Sequence, residues 1–193
     1  MIRSQWSRQE IITNKNYPGA NRVINAVLGE NDFSHIPEHI MTAATQRGSD
    51  VHDAIESFIL HGTPLDESYP LEYDIYFSNF MKWYNKYKPE FIAAELPFIH
   101  DARGYKGIID CVCKIDGKVV VIDWKTSTSL DKFRARLQQG LYTLALKEVF
   151  GIEVDEVRVL SINRSGFKYY NFNYSDDEVF ALLKLKQVKE ETQ

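Results

Sequence analysis

The stretch Lys106–Ser127, KGIIDCVCKIDGKVVVIDWKTS, decides how this chain is read. Two apolar, β-branched runs flank Asp116-Gly117, a pair that favours the two-residue reversal of a β-hairpin because both positions tolerate positive φ. With that reversal Ile115 faces Lys118, and stepping outward along both strands brings Asp110 opposite Asp123, with both side chains on one face. Directly opposed like charges destabilise a sheet. At about 5 Å and an effective dielectric near 20 the repulsion is about 3 kcal/mol. A proton on one carboxyl, or a cation between the two, would relieve it. Hard oxygen donors converging on one point suit magnesium or manganese, and period-2 alternation puts Lys125 on the face of Asp123. Two carboxylates and a lysine beside a divalent ion can hydrolyse a phosphate ester. A solvated hairpin face, with Lys125 neutralising one aspartate, fits the same residues, and a one-residue bulge would undo the pairing. Ile109, Cys111, Cys113, Ile115, Ile122 and Trp124 are expected on the opposite, core face, with the cysteines as small buried apolar residues.

Elements on either side follow from local signals. Residues 1–36 read as loop with one short helix near Ala20–Leu28. Residues 37–61 carry Ile40, Met41, Ala44, Val51, Ile55, Phe58 and Ile59 at roughly helical spacing, ended by Gly62-Thr63-Pro64. A second helix is expected over about Leu71–Lys88, where an aromatic stripe including Tyr76, Phe80 and Trp83 reads mainly as core. Strands are expected at Phe91–Ile99, Tyr105–Ile115 and Lys118–Thr126, a helix over about Asp131–Phe150, two strands around the turn at Arg164-Ser165-Gly166, and a last helix capped by Ser175. That order predicts an α/β fold with a mixed sheet of about five strands flanked by helices and an antiparallel meander at its centre. One domain over 1–193 is expected, with a helical portion at about 1–88 and a core at about 90–175.

Bulk properties exclude several classes. A net charge of −4 argues against a general polyanion binder, so nucleic-acid binding would need a local basic patch or a bound cation. Two cysteines are too few for a disulfide framework or a four-thiolate cluster. No apolar run is long enough to span a bilayer and the N-terminus lacks a signal-like apolar segment, which predicts an intracellular protein without a membrane partner. Between Asp101 and Gly140 basic residues outnumber acidic ones eight to five, and Lys132, Arg134 and Arg136 open the helix that carries Gln138. Such a stretch suits local binding of a nucleic-acid strand, and equally a solvated helix face.

Outside the hairpin, Gly48, His52 and Glu56 stand four apart on one helix face, Glu95 alternates with apolar neighbours on the first strand, and Gln138 and Tyr142 stand four apart on the fourth predicted helix. Together these residues resemble the PD-(D/E)XK nuclease superfamily, in its RecB-nuclease-like exonuclease branch. The matching elements are Gly48 to His52, Glu95 in ELPF, GIID ending at Asp110, DWK at Asp123–Lys125, and Gln138 to Tyr142, in the order of that branch. Ile109 stands where the superfamily's name has proline.

The resemblance implies a restriction-endonuclease-like core and a DNA nuclease, an exonuclease on single strands or duplex ends. It implies that His52, Asp110, Asp123 and the Trp124 carbonyl hold Mg2+ or Mn2+, that Lys125 orients or activates the attacking water, and that Glu95 assists through a second ion or by ordering water. Gln138 and Tyr142 would position the DNA backbone. The cysteines that hold an iron–sulfur cluster in CRISPR-associated members are missing, so no iron–sulfur cluster is expected. A structure-specific endonuclease and a non-catalytic nucleic-acid-binding subunit are the rival readings, and a protein partner in DNA replication, repair or recombination is compatible with either.

Overall fold

The computed structural model describes residues 1–63 and 70–192; Pro64, read from sequence as part of a helix stop, lies outside them. The hairpin forms as its turn chemistry dictates. Asp116 and Gly117 take φ of 52° and 79°, and the strands Tyr105–Ile115 (β2) and Lys118–Lys125 (β3) pair antiparallel from Ile115↔Lys118 to Cys111↔Ile122 without a slip. Strand Glu90–His100 (β1) pairs antiparallel with β2. Strand Glu156–Asn163 (β4) lies parallel to β3, and Gly166–Phe172 (β5) closes the far edge antiparallel to β4. The sheet order is therefore β1-β2-β3-β4-β5. The meander occupies one side of the sheet rather than its centre, because the helix joining β3 to β4 returns the chain to a parallel neighbour.

Two helical layers cover the sheet. Helices Glu38–His61 (α3) and Asp74–Tyr87 (α4) lie on one face, where Phe80, Trp83 and Trp124 meet edge-on or tilted at 5.5–5.7 Å. Helices Ala20–Leu28 (α2), Lys132–Phe150 (α5) and Asp176–Glu191 (α6) cover the other. The aromatic stripe of α4 is thus core, as its helical spacing predicts. Buried residues run almost continuously along α5 from Ala135 to Leu146, since the sheet takes one side of it and α2 and α6 the other. A further helix, Arg8–Thr13 (α1), departs from the loop expected there. Ser7 and Glu10 form a reciprocal capping box that fixes its first turn. No helix among the described residues is long and apolar enough to cross a membrane.

Strand alternation on β1 breaks twice, at a register slip between Phe91 and Ala93 and again at Glu95. Glu95, in the middle of β1, has φ of 43°, and Ala93, Leu96 and Phe98 all pack on the α5 side. On β2, Ile109 and Val112 share that side while Cys111 lies on the other. This corrects the expectation that Ile109 and Cys111 share a face. The left-handed residue at Glu95 resets the pleat of β1, and the reset on β2 falls at Asp110. A non-glycine residue in that region costs about 1–2 kcal/mol, so packing on both sides must hold it.

Gly140 sets the spacing of α5 and α6. A Cβ there would stand 2.5 Å from Val179 Cγ2 and 3.4 Å from Tyr174 Cδ2. Helix propensity would favour Gly140→Ala by about 1 kcal/mol, but overpacking against a stiff β-branched partner costs about 1–3 kcal/mol. Gly140→Ala is expected to lower the urea midpoint, and the double variant with Val179→Ala to lose less stability than the two single losses added together.

Candidate active site

The site lies where β2 and β3 run out of regular pairing. Beyond Cys111↔Ile122 the Asp110 carboxylate crosses the gap: its Oδ2 accepts a 2.8 Å hydrogen bond from the Trp124 backbone N–H. The regular ladder of the tight reversal thus ends one step before an Asp110–Asp123 pair, and Asp110 is fixed instead by the backbone of the residue after Asp123. Both are buried, Asp110 8% and Asp123 1% exposed, so neither relieves the repulsion by turning out to water.

The two carboxylates have different partners. Asp123 faces Lys125, whose Nζ lies 3.0 Å from Oδ1 and 2.8 Å from Oδ2. Asp110 faces α3 and β1. His52 Nδ1 stands 3.7 Å from Asp110 Oδ2 and 3.3 Å from Glu95 Oε1, and His52 Nε2 stands 3.1 Å from the Trp124 carbonyl oxygen. One donor atom each from His52, Glu95 and Asp110 falls within a 4.8 Å cluster. Glu95 therefore joins the histidine and the first aspartate directly, and its left-handed backbone lets a strand residue bring its carboxylate there.

Gly48, one turn before His52 on α3, faces the residue that follows β3; a Cβ there would meet Thr126 Oγ1 at 3.7 Å, an ordinary contact. Glu56, one turn later, is not part of that cluster and meets a cation of α1 instead. Arg8 of α1 lies 2.9 Å from Asp53 and 3.3 Å from Glu56. Sequence reading missed Arg8, although the capping box at Ser7 marked the helix that carries it.

α5 supplies the opposite wall. Gln138 Oε1 accepts from Lys125 Nζ at 3.3 Å, and Gln138 Nε2 donates to the Tyr142 hydroxyl at 3.0 Å. Both residues are 6% exposed. Tyr142 packs edge-on to Phe98 with ring centroids 6.0 Å apart. Gly107 makes room for both rings: a Cβ there would be 2.7 Å from Phe98 Cε1 and 3.1 Å from Tyr142 Cε1. The glycine of GIID is thus a packing requirement for the helix that supports Lys125.

The basic opening of α5 is largely spent inside the fold. Arg134 donates to Asn25 Oδ1 at 2.7 Å and to the Gly29 carbonyl at 2.6 Å, and Arg136 pairs with Glu178 at 3.0 Å. Lys132 lies over the Tyr170 ring, 5.4 Å from its centroid. Cys111 and Cys113 are buried in the α3/α4-side core.

Electrostatics follow from this packing. Burial alone would lower the His52 pKa, but the charge of Asp110, the hydrogen bond and charge of Glu95 and the charge of Asp123 together raise it to about 9. With acceptors at both ring nitrogens, the histidine is an imidazolium when no other cation is present. Burial pushes Asp123 up to about 6, with Asp110 adding to the rise and Lys125 opposing it. Asp110 is raised too, by burial first and by Glu95, against His52 and Lys125. Burial would lower Lys125, but the charges of Asp123 and Asp110 raise it, so it stays an ammonium. The donor set suits a divalent ion. His52, Glu95 and Asp110 converge on one point and the Trp124 carbonyl adjoins the imidazole, while Asp123 lies next to them, paired with Lys125.

Among solved structures, that of SSO0001 superposes with a TM-score of 0.52 at 15% identity, the match covering 96% of this chain and 82% of that one. An alkaline exonuclease (LHK-Exo) from Laribacter hongkongensis superposes with a TM-score of 0.54 at 9% identity, covering 96% of this chain and 92% of that one. At these identities the likeness is one of fold. No curated protein matches the chain. The sequence profile of the PD-(D/E)XK nuclease superfamily matches residues 33–191, a span that contains His52, Glu95, Asp110, Asp123, Lys125, Gln138 and Tyr142, and the chain belongs to that superfamily.

Proposed function

We propose that this protein is a divalent-metal-dependent deoxyribonuclease, an exonuclease that hydrolyses phosphodiesters at single strands or duplex ends. The convergence of His52, Glu95 and Asp110 within 4.8 Å, beside the Asp123–Lys125 pair, carries this reading. His52, Glu95, Asp110, Asp123 and the Trp124 carbonyl would hold Mg2+ or Mn2+. Such an ion, when bound, supplies Lewis-acid polarisation of a phosphoryl oxygen and a more acidic water.

The chain's own residues do the rest. Lys125 is held as a cation by Asp123 and Asp110, so it acts as a hydrogen-bond donor and point charge rather than as a base; it orients the attacking water and offsets charge developing on the phosphorane. Gln138 restrains the Lys125 ammonium, and Tyr142 restrains Gln138. Glu95 accepts a hydrogen bond from the same water. The preference for ends draws support from the resemblance to RecB-like exonucleases and from sharing the fold of LHK-Exo. A gel assay with linear single-stranded, linear duplex and covalently closed circular DNA tests it: the linear forms are expected to shorten with Mg2+ or Mn2+ and the closed circle to persist, whereas nicking of the circle would mark an endonuclease.

Lys125→Ala is expected to slow cleavage by about 10²–10³-fold or more. Its Mn2+ affinity in calorimetry should be kept or tightened, because Asp123 loses a competing ammonium. Cleavage at the wild-type rate would refute the role given to Lys125.

The His52 shift sets a pH dependence. Its folded pKa of about 9 lies above the unfolded value near 6.5. The metal-free protein therefore gains stability from the proton below about pH 6.5 and loses it as pH rises through about 9. In chelator the melting temperature is expected to fall across that window, and His52→Gln to flatten the fall. Because an ion must displace that proton, Mn2+ affinity is expected to rise over the same interval; an affinity independent of pH would remove His52 from the ligand set.

A further inference from the structure

A second cluster of cations stands beside the site and is not absorbed by the reading above. The β4–β5 turn, the loop after β3 and the face of α3 enclose a cleft of about 520 Å³ lined by Arg47, Arg164, Lys168, Thr128, Ser165 and Tyr76 among others, with no acidic residue in the lining. Lys125 is in register with Ser161 on β4, and Ser161 with Lys168 on β5. Two strand spacings put the Lys168 backbone about 10 Å from that of Lys125. Thr128 follows Lys125 by three residues, and Arg47 precedes Gly48, which faces Thr126. The cleft thus opens at the carboxyl ends of the parallel pair β3 and β4, beside the carboxylates.

These cations are unspent, unlike those at the start of α5. Among the described residues Arg47 and Lys168 pair with no carboxylate. Arg164 has only Glu72 at 3.3 Å, with side chains 68% and 61% exposed, a surface pair of little net strength. The Arg47 guanidinium lies 5.5 Å from the Tyr76 ring centroid, and its Nε is buried without a partner. Tyr76 thus holds the guanidinium in place with hydrogen-bonding capacity unused. Hydroxyl donors at Thr128 and Ser165 complete a lining suited to phosphate oxygens, and Phe167 adds an apolar ring. Three such cations gathered in a chain of net charge −4 repel one another unless an anion joins them.

We infer that this cleft binds the phosphate backbone of the nucleic-acid strand next to the scissile phosphate, and that Arg47, Arg164 and Lys168 anchor the substrate. The inference rests on the nuclease reading and extends it to a substrate-anchoring surface. Lys168 and Arg164 are exposed, so reversing their charge leaves the core untouched.

Fluorescence anisotropy with a labelled 20-residue oligothymidylate, in chelator, tests it. Relative to wild type, Arg164→Glu/Lys168→Glu is expected to weaken binding tenfold or more and to make the log–log salt dependence shallower by about 1.4, the slope of two lost single-strand phosphate contacts. In cleavage assays the loss should appear in KM rather than in kcat. The milder Arg164→Gln/Lys168→Gln is expected to weaken binding in the same direction and gives an answer even if the double reversal fails to fold. Wild-type affinity and salt slope in either double variant would overturn the inference. If the wild type still cuts DNA in that case, the nuclease reading stands without the cleft; a wild type that neither binds nor cuts any strand overturns both.

Discussion

Everything at this end of the molecule answers to one constraint: Glu95, Asp110 and Asp123 are held close together with almost no access to water. Unpaired, three buried carboxylates would cost far more than a domain's whole stability margin. The protein meets that cost with two cations, His52 raised to about 9 and Lys125 kept as an ammonium. Three negative and two positive groups leave the ionised cluster one charge short of neutral. A divalent ion that displaces the His52 proton closes the gap, adding two charges and removing one. The metal-free arrangement can thus be described as a site whose histidine proton stands in for half of the missing cation.

The scaffold is built around that cluster. A regular hairpin would continue its ladder past Cys111↔Ile122; here Asp110 takes the Trp124 N–H instead, so one ligand candidate is fixed by the backbone next to another, the Trp124 carbonyl. The left-handed turn of Glu95 disturbs β1 at the same level. Local irregularity is tolerated because β1 and β2 are pinned on both sides, by α5 through Phe98, Ile109 and Tyr142 and by α3 and α4 through Cys111 and Trp124. Strain of this kind persists where surrounding packing over-determines it.

How much of this was legible in the sequence follows the range of the interaction concerned. The hairpin at Asp116-Gly117, the ends of β2 at Tyr105 and Ile115, and the Ser175 cap depend on neighbours a few residues apart, and they were readable from turn chemistry and periodicity. The register through Cys111↔Ile122, which brings Asp110 and Asp123 to the same end of the hairpin, followed from the same local rule. α1 was missed because six residues are too few to show a helical period, even though the Ser7–Glu10 box was present. The face of Ile109 was misread because alternation assumes an unbroken pleat, and the break originates on β1, with a backbone angle at Glu95 that nothing local to β2 encodes. The fate of the basic residues on α5 was equally hidden: Arg134 is spent on Asn25 and Gly29, and Arg136 on Glu178, partners far away in the chain.

That last point bears on how an acidic protein could hold a polyanion. Counting basic residues along a sequence weighs a buried, paired arginine and an unpaired one alike, yet only the second can exchange counterions with a phosphate. At physiological salt the screening length is about 8 Å, so the net charge of −4 is felt weakly across the molecule, while cations lining a cleft act at contact. What matters is which of them the fold leaves without internal partners. On the walls of the carboxylate cluster Lys125 is already committed to Asp123 and Gln138. Arg47 and Lys168 are not committed in this way, and Arg164 has only its exposed contact with Glu72. Chemistry and grip are thereby assigned to separate residues: buried groups whose charges balance one another beside the scissile bond, and cations with charge to spare on α3 and at the β4–β5 turn.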